Sequence, residues 1–104
     1  KGPAKAARDA AINSPITVMA VVWDIDGKAR DNINEAINSV DRQPVKESES
    51  RYWILADNSV RPTTADDLRY VMNAYVDRMD DIYNQYGLWL SGDMLSDFVV
   101  QGAQ

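Results

Sequence analysis

Leu68, Met72, Tyr75, Met79, Ile82, Tyr86 and Trp89 are separated alternately by four and three residues, without a slip. Only a helix brings such positions onto one face, so this stretch must form one continuous helix. From about Ala65 to Leu90 it extends roughly 40 Å at 1.5 Å per residue. Thr63 or Thr64 with Asp66 or Asp67 three residues on supplies a capping box, and Ser91-Gly92 closes the far end. A strand of five or six residues covers about 17–20 Å, half of that length. The distal part of the seam therefore needs a further cover. Met79, Ile82, Tyr86 and Trp89 are candidate partner-binding residues, covered either by the chain's own terminal segments or by a second copy.

The rest of the chain must be arranged along this rod. Pro3 to Asn13 is Ala-rich and reads as a short helix ended by Ser14-Pro15. Ile16 to Trp23 is β-branched and almost continuously apolar, the pattern of a buried strand. Asp24-Ile25-Asp26-Gly27 makes a turn, and Ile33, Ala36, Ile37 and Val40 repeat at helical spacing between Ala29 and Val40. Tyr52 to Ala56 is a second strand, with Trp53 and Leu55 on one face and Tyr52 and Ile54 on the other. Asp57-Asn58 turns the chain into a short return strand, Ser59 to Arg61, which Pro62 confines to an edge. Asp93 can cap a small terminal element holding Leu95, Phe98 and Val99.

The fold class is α+β: a small antiparallel sheet, one strand plus a hairpin, packed against two main helices, one of them long. Residues 1–14 read as a helix or linker from an upstream region, 15–92 as the core domain and 93–104 as a C-terminal extension. The chain opens on Lys1, as a piece of a longer protein does.

Composition narrows the chemistry. Among 104 residues there is neither cysteine nor histidine, which removes disulfides, thiol nucleophiles, the usual zinc sites and any histidine general base. The net charge is −5 and the eleven Lys and Arg are scattered, so nucleic acid is not expected as a partner. The longest apolar run, Ile16 to Trp23, is too short to cross a bilayer, and no membrane partner is expected.

Val21-Val22-Trp23-Asp24-Ile25-Asp26-Gly27-Lys28 resembles the first motif of haloacid dehalogenase-type phosphatases, an apolar strand followed by Asp-x-Asp-Gly. That resemblance implies Asp24 as nucleophile, Asp26 as acid or base and Mg²⁺ holding the phosphate. It also implies a doubly wound sheet longer than this chain provides, and a Thr-like residue where Lys28 stands. An ordinary strand-ending turn explains the same residues. Asp77, Asp80 and Asp81 share a helix face and could hold a hard cation weakly, but a solvated acidic face accounts for them. Trp23, Trp53 and Trp89 fall in strands or on the seam, as core anchors do. No catalytic residue, no metal site and no cofactor is assigned.

Trp53, Ala56-Asp57-Asn58, Val60 and Thr63 or Thr64, followed by Leu68 on the helix, resemble the signature of an uncharacterised family of domains of unknown function. That family belongs to phage and prophage tail-associated proteins. Arg8-Asp9-Ala10-Ala11-Ile12, Trp23 and Arg30-Asp31-Asn32-Ile33 extend the likeness over residues 8–86. It implies a virion component or tail assembly factor with tail proteins as partners, found in the virion or, during assembly, in the host cytoplasm. Three classes follow: a non-enzymatic structural or protein-interaction domain, preferred; a small Mg²⁺-dependent phosphatase-like domain; and a regulatory module binding a small ligand between sheet and helix.

Overall fold

The computed structural model describes residues 2–102. Along the chain run α1 (Gly2–Asn13), β1 (Ile16–Val18), β2 (Val21–Trp23), α2 (Gly27–Arg42), a 3-10 turn (Pro44–Lys46), β3 (Arg51–Ile54), β4 (Val60–Thr63) and α3 (Ala65–Ser91). The α+β class and the long helix are as expected. Helix α3 is the axis: α1, α2 and β1 all pack on it. The molecule is drawn out along it, 54 × 27 × 20 Å, with a radius of gyration of 16.2 Å. A compact chain of this length would have about 13 Å.

Helix α3 starts where its cap residues put it. The Thr64 hydroxyl accepts from the Asp67 N–H, and the Asp67 carboxylate accepts from the Thr64 N–H. Two otherwise orphaned donors are thereby satisfied, and both Asp66 and Asp67 face the positive end of the helix dipole. Helix α2 is capped by Asp26, whose side chain accepts from the Ala29 N–H at 3.0 Å.

The sheet differs from expectation. Ile16 to Trp23 is not one strand but a hairpin, β1 pairing antiparallel with β2 in the register Ile16–Trp23, Thr17–Val22 and Val18–Val21. Its turn is Met19-Ala20, both with positive φ, 55° and 63°. Two left-handed residues are what a tight two-residue hairpin turn requires, yet neither has the Asn or Gly that normally signals one. The left-handed conformation costs roughly 1–2 kcal/mol per residue. Burial offsets it: the turn brings Trp23 wholly inside beside Ile16, with its indole N–H donating back to the Val18 carbonyl at 3.0 Å.

The second hairpin pairs β3 with β4 in the register Arg51–Thr63, Tyr52–Pro62, Trp53–Arg61 and Ile54–Val60. Its loop contains Asn58 at φ 67°, a conformation Asn tolerates. The Asp57 carboxylate accepts from both the N–H and the hydroxyl of Ser59, and these bonds hold its pKa below the ordinary carboxylate value. The two hairpins form separate two-stranded sheets, joined by the Ala56 N–H donating to the Val22 carbonyl.

One core runs between these elements, built on Ile12, Ile16, Trp23, Ile25, Ile33, Leu55, Leu68, Val71, Tyr75 and Ile82. Helix α1 belongs to it through Ile12. A smaller cluster of Ala4, Tyr86 and Phe98 sits at the distal end of α3. Among the described residues every buried side-chain nitrogen or oxygen has a partner.

The 3-10 segment is tied to α3 by Glu47, whose carboxylate accepts two N–H groups of Arg69 at 2.7 and 3.1 Å. That hydrogen bonding lowers the Glu47 pKa. A carboxylate depressed in the folded state contributes stability above its unfolded pKa and loses it as pH falls through the folded value. Glu47→Gln is therefore expected to flatten the acid limb of the melting temperature against pH. Superimposable curves for the two chains would show that the pair contributes nothing.

Candidate functional site

The β3–β4 hairpin has two unlike faces. Its inner face carries Trp53, half-buried, and Thr63, buried, while the Arg61 guanidinium lies 5.8 Å from the Trp23 ring. Leu55, just beyond the strand, enters the core. The outer face is made by the cross-strand pairs Tyr52–Pro62 and Ile54–Val60. All four are exposed, Tyr52 at 77 %, Ile54 at 63 % and Val60 at 59 %. Scattered apolar residues on a surface are ordinary, but four in register on one sheet face are a continuous patch. A sheet with one wet face normally alternates apolar inside with polar outside. Here the open outer face is the apolar one, while the inner face carries Arg51, Trp53, Arg61 and Thr63 and is covered in part by the chain.

A groove adjoins the patch, and a separate cleft lies between the two hairpins. A groove of about 370 Å³ lies beside Asn32 of α2 along Tyr52, Trp53 and Ile54. At the turn end the two hairpins enclose a cleft of about 450 Å³ between Ala20, Val21 and Val22 and Leu55, Ala56, Asp57 and Ser59. The Asp57 carboxylate at its rim is fixed by Ser59, and the Val22 side chain is 44 % exposed.

The distal seam is arranged differently from the patch. Ile82 is fully buried and Met79 packs partly buried against the main core. Tyr86 is buried and Trp89 half-buried. Their cover comes from within the chain: α1 supplies Ala4 and Arg8, whose guanidinium lies 4.7 Å from the Tyr86 ring centroid, and the C-terminal segment supplies Phe98. Among the described residues after α3 there is no helix. Asp93 accepts from the Leu95 N–H, Phe98 is buried, and Leu95 and Val99 are exposed.

The paired aspartates are not assembled into a pocket. Asp24 and Asp26 lie exposed on the β2–α2 connection, and Asp26 is engaged as the α2 cap. The strand before them belongs to an antiparallel hairpin, where the phosphatase motif implies a parallel doubly wound sheet. Asp77, Asp80 and Asp81 are exposed on α3, with Asp81 accepting from Gln85. Among the described residues no three Asp or Glu side chains are grouped to hold a metal ion, and no helix is long and apolar enough to cross a membrane.

A family model described as a Domain of unknown function (DUF4376) matches residues 3–87. The chain belongs to this family. The DUF4376 match takes in α1, both hairpins, α2 and most of α3, and stops before the last turn of α3 and the C-terminal segment. The Trp53 to Thr64 signature is the β3–β4 hairpin and the α3 cap. No curated protein and no solved structure matches the chain.

Two features were missed from sequence. The outer hairpin face was visible as Tyr52 and Ile54 opposite Trp53 and Leu55, a strand apolar on both sides. Arg78 was also passed over. It stands in the apolar stripe of α3, three residues after Tyr75 and four before Ile82, and is 4 % exposed. Its guanidinium donates to the carbonyls of Ala11, Ile12, Ser14 and Pro15, closing the end of α1. A charged residue on an apolar stripe is the signal that could have found it.

Proposed function

We propose that this DUF4376 domain is a non-enzymatic structural or protein-interaction module of a phage or prophage tail-associated protein. It docks onto other tail or virion proteins through the outer face of the β3–β4 hairpin. One observation carries the reading: Tyr52, Ile54, Val60 and Pro62 form an in-register apolar face left open to solvent by the rest of the chain. Burying each large side chain is worth roughly 1.5–3 kcal/mol, so a protein that covers this face gains substantially. The tail context comes from the likeness of the Trp53 to Thr64 signature to tail-associated proteins, and the place of action is the virion or an assembly intermediate. Asp24, Asp26 and the tryptophans shape the domain and turn nothing over.

The test is co-purification with tail particles from the source phage or prophage, comparing the native chain with a Tyr52→Ser, Ile54→Lys double variant. The native chain is expected in the tail fraction and the variant outside it. A native chain absent from every tail fraction would contradict the proposal. So would Mg²⁺-dependent release of phosphate that is lost on Asp24→Asn, which would install the catalytic reading instead.

A further inference from the structure

The C-terminal segment that covers the distal seam is held at three points. Phe98 stands edge-on to Tyr86, ring centroids 5.3 Å apart, and 5.9 Å from Trp89. The Trp89 indole N–H donates to the Ser96 carbonyl at 2.9 Å. Gln85 clamps Gln101 twice, its amide N–H donating to the Gln101 carbonyl at 2.8 Å and its amide oxygen accepting from the Gln101 N–H at 2.7 Å. This is a site for an extended chain with one aromatic residue: backbone read by side chains, and a ring seated between Tyr86, Trp89 and Ala4.

Its closure on the same chain is imperfect in two ways. The reversal that folds the segment back is tight and strained, with Gly92 ending α3 and Met94 left-handed at φ 56°. Closure also leaves large apolar groups wet: Leu88 at 75 %, Leu95 at 87 % and Val99 at 61 % exposure. A cleft of about 430 Å³ remains between the segment and Pro3, Ala4 and Trp89. The cluster it completes is distinct from the main core, which the segment meets through the half-buried Val100, so its release leaves the buried residues of that core in place.

We propose that Asp93–Gln101 is an exchangeable arm, each copy seating its Phe98 on the Ala4, Tyr86 and Trp89 cluster of a second copy. Opening the reversal relieves Met94, lets α3 run straight, and brings Leu88, Leu95 and Val99 of two copies together. A short strained hinge favours this kind of exchange. The arm deepens the interaction reading at a second place, and its failure would leave the hairpin face untouched.

The chain has no cysteine, so single cysteines can be placed cleanly. Full chains carrying Pro3→Cys and Asp97→Cys, exposed positions on the two sides of the cleft that leave the Gln85 clamp intact, are made separately, mixed, and treated with a short bismaleimide. Linked peptides are identified by mass spectrometry. A mixed dimer joined between positions 3 and 97 is expected, its yield rising with protein concentration. Gly92→Ala favours a continuous helix and should raise the yield about fivefold. Met94→Gly relaxes the closed reversal and should lower it by about the same factor. If the two cysteines placed in one chain link only within that chain at every concentration, and no mixed product forms, the proposal fails. A mixed product indifferent to both hinge substitutions also overturns it, because random encounter would give the same.

Discussion

Trp23→Ala is expected to be the most damaging single truncation in the molecule, lowering stability by about 3–5 kcal/mol. The side chain is fully buried among the largest group of core residues, and its indole N–H is bonded to the Val18 carbonyl. It holds three elements at once: β1 through the register with Ile16, β4 through Arg61 above the ring, and the main core through its contacts there. Burial of Trp23, together with Ile16, offsets the two left-handed residues of the Met19-Ala20 turn. Removing the ring takes away part of that offset and leaves a cavity. Urea denaturation should show a lower midpoint with an unchanged slope, and Trp23→Phe, which keeps an apolar ring, should lose less. A loss for Trp23→Ala below about 1 kcal/mol, the level of an average substitution, would contradict this placement.

Arg78→Met is expected to cost about 3 kcal/mol, although it keeps the length and apolar stem of the side chain. The last four carbonyls of a helix have no partner within it, and Arg78 supplies donors to those of Ala11 and Ile12 at the end of α1 and to Ser14 and Pro15 just beyond it, in a partly buried position against α3. Arg78 donates through one terminal nitrogen to Ala11, Ile12 and Ser14 and through the other to Pro15 at 2.9 Å. Burial lowers its pKa, but a guanidinium remains charged at any pH the fold survives, and its charge suits the negative end of the α1 dipole. Arg78→Lys, a single point donor in place of a planar fork, should recover only part of the loss. Helix α1 should then exchange its amide hydrogens faster, while α2 is unaffected. Equal stability of the Met variant and the native chain would mean that α1 is held by apolar contacts alone.

Much of this fold was legible because its elements obey strong local rules. The four-three spacing from Leu68 to Trp89 admits only a helix, and Thr63 or Thr64 with Asp66 or Asp67 marks its start, of which the structure uses Thr64 and Asp67. Asp57-Asn58 marks the second turn, and the alternation of Tyr52 to Leu55 gives each face of β3. The first hairpin was illegible because its turn, Met19-Ala20, uses residues without turn chemistry, and tertiary burial of Trp23 and Ile16 offsets its cost. The cover of Tyr86 and Trp89 was legible only as a need for cover. Phe98 reaches them through an irregular segment whose path no periodicity encodes. The outer hairpin face was written in the sequence, but an apolar strand residue reads the same whether a helix or a partner protein covers it.

The central claim is that Tyr52, Ile54, Val60 and Pro62 are apolar for a partner and not for the domain's own stability. The melting temperature of the Tyr52→Ser, Ile54→Lys double variant tests it most directly. Loss of two exposed cross-strand pairs should cost about 1 kcal/mol in all, leaving a melting temperature close to that of the native chain. A fall as deep as that of Trp23→Ala would mean that these side chains hold the fold together, and the face would then have no claim to be an interaction surface.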